Sequence, residues 1–569
     1  MGRRVRTLLS PALVAVLAAA AVRADDRVPA PPAAAAIAPN AAIAPGPAAA
    51  PGAPPAAGHA GAVWDERAAR HLLDRAAFGA TSEELAVAVA AGREATVERL
   101  FATGPARETA FLEPRPLTRR ALPLPLPGDA DPDRRRAAVD RVRSQFVVAL
   151  DAYEAWWVSH LLAADEPLRD RMTLFWHGLI PSNKYTVRFG LEIIEQHQML
   201  RENALGSFRS ILRGMARDGA MLRYLDNESN VKAHPNENWA RELMELFALG
   251  EGHYTEKDVQ EAARSFTGWG KDNHRFDLHE AEHDEGAKTV LGVSGRLDGD
   301  DTIEAILAQP ACAEYLAGRL LLFFEGVAPD AARLAEYAAF LREGDYELSP
   351  FLRKLLLDPR FDRDEAVAAR IAGPIEFLVG AVRRLRAELP AQVVIAGGAV
   401  LGQELFAPTS VKGWESGMAW IDTSTILQRA NLAGVLLGQV DVGALCEPEG
   451  SGLTPEQKGR AGSAGYDVIR ALQRGGWTPQ LDLAGLARAL LAGASEPPTD
   501  AVLAQALLRE LLAVPAAPDL LPPIAELLAA GRETAGVADG HLLDDPATAE
   551  PLLRRVAHVI LSLPEAQLD

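Results

Sequence analysis

Asn236-Glu237-Asn238-Trp239-Ala240-Arg241-Glu242-Leu243-Met244-Glu245-Leu246-Phe247 reads as one amphipathic helix. At about 100° per residue, Glu237, Asn238, Arg241, Glu242 and Glu245 fall within an arc of roughly 140°. Ala240, Leu243, Met244 and Phe247 occupy the other side. The same recurrence of apolar residues at three and four continues on both sides, in stretches dominated by Ala, Leu, Arg and Glu. Upstream it marks helices over His71–Phe78, Glu83–Phe101 (started by Thr81-Ser82), 135–163, 167–179, 188–203 and 205–217. Downstream, past a Gly-rich break in 450–476, Ala/Leu helices lead to a final pattern over Pro551–Leu563. Strand-like alternation is confined to Lys288–Val293 and Val393–Ile395. The expected fold is mainly α, a large multi-helix globular domain with very few short strands. A main domain is expected over 63–440, with a C-terminal helical region over 441–569 packed on it. Residues 103–133, rich in Pro and polar residues, read as a long loop.

The chain begins with Arg3, Arg4 and Arg6, followed by an apolar run from Leu8 to Val22. Val22-Arg23-Ala24 offers signal peptidase its small residues, so residues 1–24 are expected to be a signal peptide cut after Ala24. The run is roughly 15 residues, short of the ~20 a spanning helix needs. Arg3-Arg4 leaves twin-arginine export open beside the general route. Residues 25–62, almost wholly Ala and Pro with some Gly, lack apolar bulk to bury and read as a disordered tether. The mature protein is expected outside the cytoplasm, in the periplasm, at the cell surface or secreted.

A formal net charge of −19 with no long basic run argues against nucleic acid as a partner. After the signal, no stretch approaches 18 uninterrupted apolar residues, so no transmembrane helix is expected in the mature chain. The 2 cysteines, Cys312 and Cys446, are too few for a disulfide scaffold, though an exported chain permits them to pair. Zinc-finger spacing, GxGxxG, Walker and GxSxG motifs are all missing.

Three stretches carry more ionisable and aromatic residues than a plain core requires. Arg171–His177 is an apolar helix ending in Trp176-His177; the histidine is either a hydrogen-bonded core group or a metal ligand or proton carrier. In the Asn236–Phe247 segment the plain account is a solvated face with a Glu237–Arg241 pair worth a few tenths of a kcal/mol. The sharper account has Glu242 and Glu245 pointing at one ligand or cation, as helical carboxylates do in bundle metal sites. From Tyr254 to Lys288, Thr255-x-x-Asp258 fits a helix N-cap, and Thr267-Gly268-Trp269 ends that helix. A polar loop with His274, His279, His283 and Asp284 is expected next. Its histidines are either solvated bystanders or part of a metal or proton-transfer site.

Taken together, these residues resemble the bacterial domain of unknown function 1800 (DUF1800) family. The resemblance rests on His71-Leu72-Leu73-x-Arg75-Ala76-x-Phe78-Gly79, Phe175-Trp176-His177, the Asn236–Phe247 run, Tyr254-Thr255-Glu256-x-Asp258-Val259 and Ala263-Arg264-x-Phe266-Thr267-Gly268-Trp269. It continues through His283-Asp284, Lys288, Gly292, Val411-Lys412-Gly413-Trp414, Trp420-Ile421 and Leu561–Glu565. It implies a large, mostly helical, exported bacterial protein, often encoded beside a second exported protein similar to sulfatases and alkaline phosphatases, a candidate partner. It implies no catalytic residues. Relatives commonly carry a second histidine two positions after the Phe-Trp-His run, where this chain has Leu179.

Two functional readings follow. One is an enzyme, a metal-assisted hydrolase or oxidoreductase. Glu237, Arg241, Glu242, Glu245, His283 and Asp284 would be its catalytic residues, with Glu242 or Glu245 as base or ligand, Arg241 as anion clamp and His283 as ligand or proton shuttle. Asn236, Asn238, Trp269, Lys288 and Trp414 would bind substrate, Trp269 and Trp414 as apolar or sugar-stacking walls. His177, Glu242 and His283 would hold a divalent metal and are expected to converge. The other reading is a non-catalytic accessory or assembly protein for the co-encoded neighbour, with the Asn236–Phe247 helix as a salt-bridged hub.

Overall fold

A computed structural model describes residues 63–102, 132–272, 275–445, 464–493 and 497–569. The expected signal peptide, the tether, most of the 103–133 loop, His274, Cys446 and the start of the Gly-rich break lie outside the described residues.

The chain opens with α1 (Glu66–Ala77), α2 (Ser82–Ala91) and α3 (Arg93–Phe101). Thr81 caps α2 through a reciprocal pair with Glu84, as its position before an apolar repeat leads one to expect. The single helix expected over Glu83–Phe101 is broken at Gly92, whose φ of 85° is available to glycine at little cost. The long α4 (Pro132–Ala163) is followed by α5 (Pro167–Leu179), the short α6 (Lys184–Val187), α7 (Gly190–Asn203), α8 (Phe208–Arg217) and α9 (Gly219–Tyr224). α4 and α5 both pack on α7.

The Asn236–Phe247 segment departs from its expected geometry. It forms α10 (Asn238–Glu242) and then runs as a π-helix over Leu243–Ala248. There the Leu249 N–H reaches the Met244 carbonyl, five residues back, at 2.8 Å. Such turns are rare, and many lie at functional sites. The apolar side is buried as expected, with Trp239, Leu243, Met244 and Phe247 in the core.

α11 (Glu256–Ser265) starts at the expected Thr255–Asp258 capping box. The polar loop expected after it is partly ordered as a hairpin of β1 (Trp269–Asp272) and β2 (Arg275–Leu278), Trp269 pairing with Leu278. A second hairpin, β3 (Lys288–Val290) with β4 (Val293–Gly295), divides the strand-like run expected over Lys288–Val293: its first three residues form β3, and the chain then turns back so that Val293 opens β4. Its turn, Leu291-Gly292, has positive φ at both positions, the conformation that tight hairpins favour.

Helices α12 (Gly299–Leu307), α13 (Pro310–Glu325), α14 (Ala331–Glu343) and α15 (Leu348–Leu357) complete a core that also includes α1, α5, α8 and α11. Then come α16 (Pro374–Leu385) and α17 (Ala391–Val400). The strand expected at Val393–Ile395 lies inside α17. Without a neighbouring strand to pair with, its β-branched run packs helically, and Gly397 admits the Leu378 and Leu432 side chains at close range. α18 (Thr423–Leu436), α19 (Ala464–Arg474), α20 (Leu483–Leu490), α21 (Asp500–Leu511), α22 (Leu521–Thr534) and α23 (Pro546–Leu561) finish the chain. α23 packs on α20, α21 and α22, and α16 on α21, so Trp64–Asp569 is one compact unit. Among the described residues no helix is long and apolar enough to cross a membrane.

Candidate functional site

Most of the charges on the Asn236–Phe247 face are engaged. Arg241 holds Glu237 at 2.9 Å and clasps Glu256, on the next helix, at 2.7 and 2.8 Å. The Glu245 carboxylate accepts the Tyr254 hydroxyl at 2.8 Å. Asn236 ties its amide to Asp226 and Ser229 and takes the Asn238 N–H on its side-chain oxygen at 3.0 Å, so it organises the approach to α10; Asn238 is exposed. Glu242 is different. It is half-buried at the junction of α- and π-helical turns and makes no hydrogen bond or ion pair with the described residues. Burial and then the neighbouring Glu245 charge push its carboxyl above the ordinary range, against the pull of Arg241 and Lys412.

Lys412 brings in a segment distant in sequence. The loop Glu404–Trp414 lies across the α5–α6 turn and is tied to it along its length. Glu404 accepts the Tyr185 hydroxyl at 2.5 Å and pairs with the Lys184 ammonium at 3.0 Å. The Phe406 N–H donates to His177 Nε2 at 3.0 Å, and the Phe406 carbonyl accepts the Lys184 N–H at 2.7 Å. The Asn183 amide donates to the Pro408 carbonyl at 2.9 Å while its oxygen caps α6. Gly413, at φ 88°, presses on Gly178; a Cβ there would stand 2.0 Å from the Gly178 carbonyl oxygen. Trp414 then meets the His177 ring edge-on, centroids 5.0 Å apart. The loop thus has His177 beneath it and Glu242 within range of the Lys412 charge, so two of the three expected stretches come together through it.

Under the loop is a buried polar centre. His177 and His197 pack against Trp157 and Phe406, and the Tyr153 hydroxyl meets His197 Nδ1 at 2.9 Å. Burial lowers the His177 pKa to about 3, so the ring is neutral. Its lone pair on Nε2 is taken by the Phe406 N–H, which fixes the proton on Nδ1. His177 is therefore a core histidine rather than a metal ligand, which corrects its expected role. Burial raises Glu154 to about 7 although Lys184 lies 3.6 Å away. Asp218 is likewise raised to about 7 by burial, while accepting the Met221 N–H and the Gln196 amide. Burial opposes the Lys184 charge, but Glu154 and Glu404 outweigh it and hold the ammonium protonated.

The third stretch serves mainly as structure. Arg264 binds Asp284 at 2.7 Å and Glu261 at 2.7 Å, lowering the Asp284 carboxyl through that bond. Lys288 is buried with its ammonium on the Asp284 and Leu297 carbonyls, so it faces no substrate. Trp269 is only 3 % exposed, packed between Phe266 and Phe276 with Arg217 over its ring; it is a core residue, not a cleft wall. His279 is exposed near Asp277. His283 is half-buried. Its Nδ1 faces the Thr267 carbonyl at 2.7 Å; a carbonyl only accepts, so Nδ1 carries a proton. Among the described residues no three His, Cys, Asp or Glu side chains are placed to share a metal, so His177, Glu242 and His283 do not form the expected ligand set.

The reading of spacing missed Glu154, Lys184, Tyr185, His197, Asp218 and Glu404. Lys184-Tyr185 and Glu404 sit in segments with no periodic or motif signal, and only the fold brings them together. The family model described as "Protein of unknown function (DUF1800)" matches residues 71–568. No curated protein and no solved structure matches the chain.

Proposed function

The chain belongs to the DUF1800 family, whose description assigns no activity, and we propose from its own geometry that it is an exported enzyme, a hydrolase whose proton-transfer group is Glu242. One observation carries this reading. On a face where the neighbouring charges are paired, Glu242 alone keeps an unengaged, half-buried carboxyl with a raised affinity for its proton. A carboxyl that holds its proton more tightly than usual suits general acid–base work, and such groups cluster at active sites. The π-turn that follows it supports the same assignment. Lys412, whose charge acts on Glu242, is the cation that stabilises negative charge developing there, since Arg241 is held between Glu237 and Glu256. His283, its Nδ1 held by the Thr267 carbonyl, is the second proton carrier. Glu237 and Arg241 hold the segment in place, and Asp284 does the same for the His283 loop.

The test assays the mature chain against p-nitrophenyl esters, phosphates and glycosides, alongside Glu242→Gln. Turnover of one probe class, lost at least 100-fold in Glu242→Gln with the melting temperature kept, is expected. Turnover unchanged in Glu242→Gln, or none with any probe, contradicts the assignment.

A second reading is favoured by the same pairing. Arg241 and Arg264 each bridge two carboxylates, joining Glu237 to Glu256 and Glu261 to Asp284, as a structural hub would. In that reading the protein is an accessory to the co-encoded, sulfatase- or phosphatase-like neighbour. It requires stable co-purification with that neighbour, and separation of the two on a sizing column would rule it out.

A further inference from the structure

A cavity of about 490 Å³ opens between α1 and the C-terminal helices, sharing no residue with the 404–414 loop or the Glu242 face. Its size falls in the ~300–1,000 Å³ range of small-molecule sites. One wall is aliphatic: Leu508 on α21, Val514 and Pro518 in the connection, and Leu521 at the start of α22. Three arginines also line it, Arg67 and Arg70 from α1 and Arg509 from α21.

The two aspartates that border the cavity are closed to a ligand. Asp74 is already held by Arg384, and Asp569 by Arg171 and Arg370. Their remaining oxygens are sealed in the interior. Burial, against the pull of Arg384, also shifts Asp74 towards its protonated form. His71 adds no charge: burial and then the Arg75 charge lower it to about 3, so its ring is neutral.

Arg70 is in a different position. Its side chain is nine-tenths buried, and its guanidinium is only loosely held. Nη1 donates to the Leu512 carbonyl at 3.4 Å, Nη2 stands 3.7 Å from Glu66, and Nε makes no hydrogen bond with the described residues. Glu66 gives both its carboxylate oxygens to Arg509, and Arg67 is bound by Asp364. Three guanidiniums thus face two carboxylates, and the one left in surplus is the most deeply buried of the three. Glu510, whose charge also feels Arg70, lies outside the lining and is pushed towards its protonated form by burial. A buried cation short of hydrogen bonds favours an anion that supplies them, and the planar guanidinium fits a carboxylate through two parallel bonds.

We propose that this cavity binds a carboxylate with a short aliphatic chain. The head group accepts from Arg70 Nε and Nη2, and the chain lies along Leu508, Val514 and Leu521. The site stands apart from Glu242 and does not depend on its role.

Four probes test it by calorimetric titration into the full mature chain: hexanoate, hexanamide, hexylammonium and acetate. Hexanoate is expected to bind at least tenfold more tightly than each of the others; hexanamide and hexylammonium read the charge of the head, and acetate reads the chain. Arg70→Gln is expected to weaken hexanoate at least tenfold with melting temperature retained. Should that variant fail to fold, Glu66→Gln makes the test in the opposite direction: it removes the carboxylate that competes for Arg70, and hexanoate is expected to bind at least threefold more tightly. Absence of hexanoate binding, another probe binding as tightly as hexanoate, undiminished binding in Arg70→Gln or unimproved binding in Glu66→Gln overturns the proposal.

Discussion

The face of the Asn236–Phe247 segment and the centre beneath the Glu404–Trp414 loop are both dense in ionisable groups, but they differ in solvent. On the face, Arg241 meets Glu237 and Glu256 in contact with water, where screening and side-chain entropy leave each pair little net value. In the centre, Lys184 is held between Glu154 and Glu404, and His177 and His197 are enclosed by Trp157 and Phe406. There a lost partner leaves a charge stranded in a poorly polarisable interior. The comparison teaches that the visible charges of the motif mostly position it, while the hidden ones hold together the turn and loop that set its surroundings.

Lys184→Met should break the comparison most severely. It strands the buried Glu154, while the partly exposed Glu404 keeps the Tyr185 hydroxyl, and it is expected to cost about 3 kcal/mol in urea unfolding; a loss below about 1 kcal/mol would mean the centre is not electrostatically closed. Gly413→Ala comes next. The new methyl meets the Gly178 carbonyl at a positive φ, so a loss of ~2–3 kcal/mol is expected from thermal unfolding.

Acid should act on the centre and spare the face. His177 titrates at about 3 in the folded chain but near its ordinary value when unfolded. Between those values the unfolded chain holds the extra proton, so stability falls as pH drops below ~6.5, by about 1.4 kcal/mol per pH unit. His197 is also lowered, by burial and the nearby His177, and adds to the trend. Glu154 and Asp218, raised to about 7, act oppositely and lose stability as pH rises towards 7. Unfolding of the wild type against His177→Gln isolates the histidine: the variant should be less acid-sensitive between pH 6.5 and 4. An identical slope in both would show that His177 is not buried neutral. Arg241→Gln should have the smallest effect, below ~1 kcal/mol and further reduced in high salt.

How much of this was legible in the sequence follows from the distances along the chain. The helical fold, the caps at Thr81 and Thr255 and the burial of Trp239, Leu243 and Phe247 all depend on residues three or four apart, which periodicity exposes. The π-turn was not legible, because 100° per residue presumes the geometry it replaces. The Glu242 face was visible as a cluster of carboxylates, but which of them is left unpaired depends on Tyr254 and Glu256 folding back against it. His177 was visible as a histidine beside a tryptophan; its silence as a ligand depends on the Phe406 N–H, 229 positions away. Glu154, Lys184 and Glu404 carry no local signal at all.

The unengaged Glu242 carboxyl, rather than its paired neighbours, is the proposed working group. The deciding measurement compares kcat/KM for Glu242→Gln and Arg241→Gln on the probe class the wild type turns over. The account predicts a loss of at least 100-fold in Glu242→Gln and less than about fivefold in Arg241→Gln. Equal losses, or a larger loss in Arg241→Gln, would contradict it and make the face a structural hub.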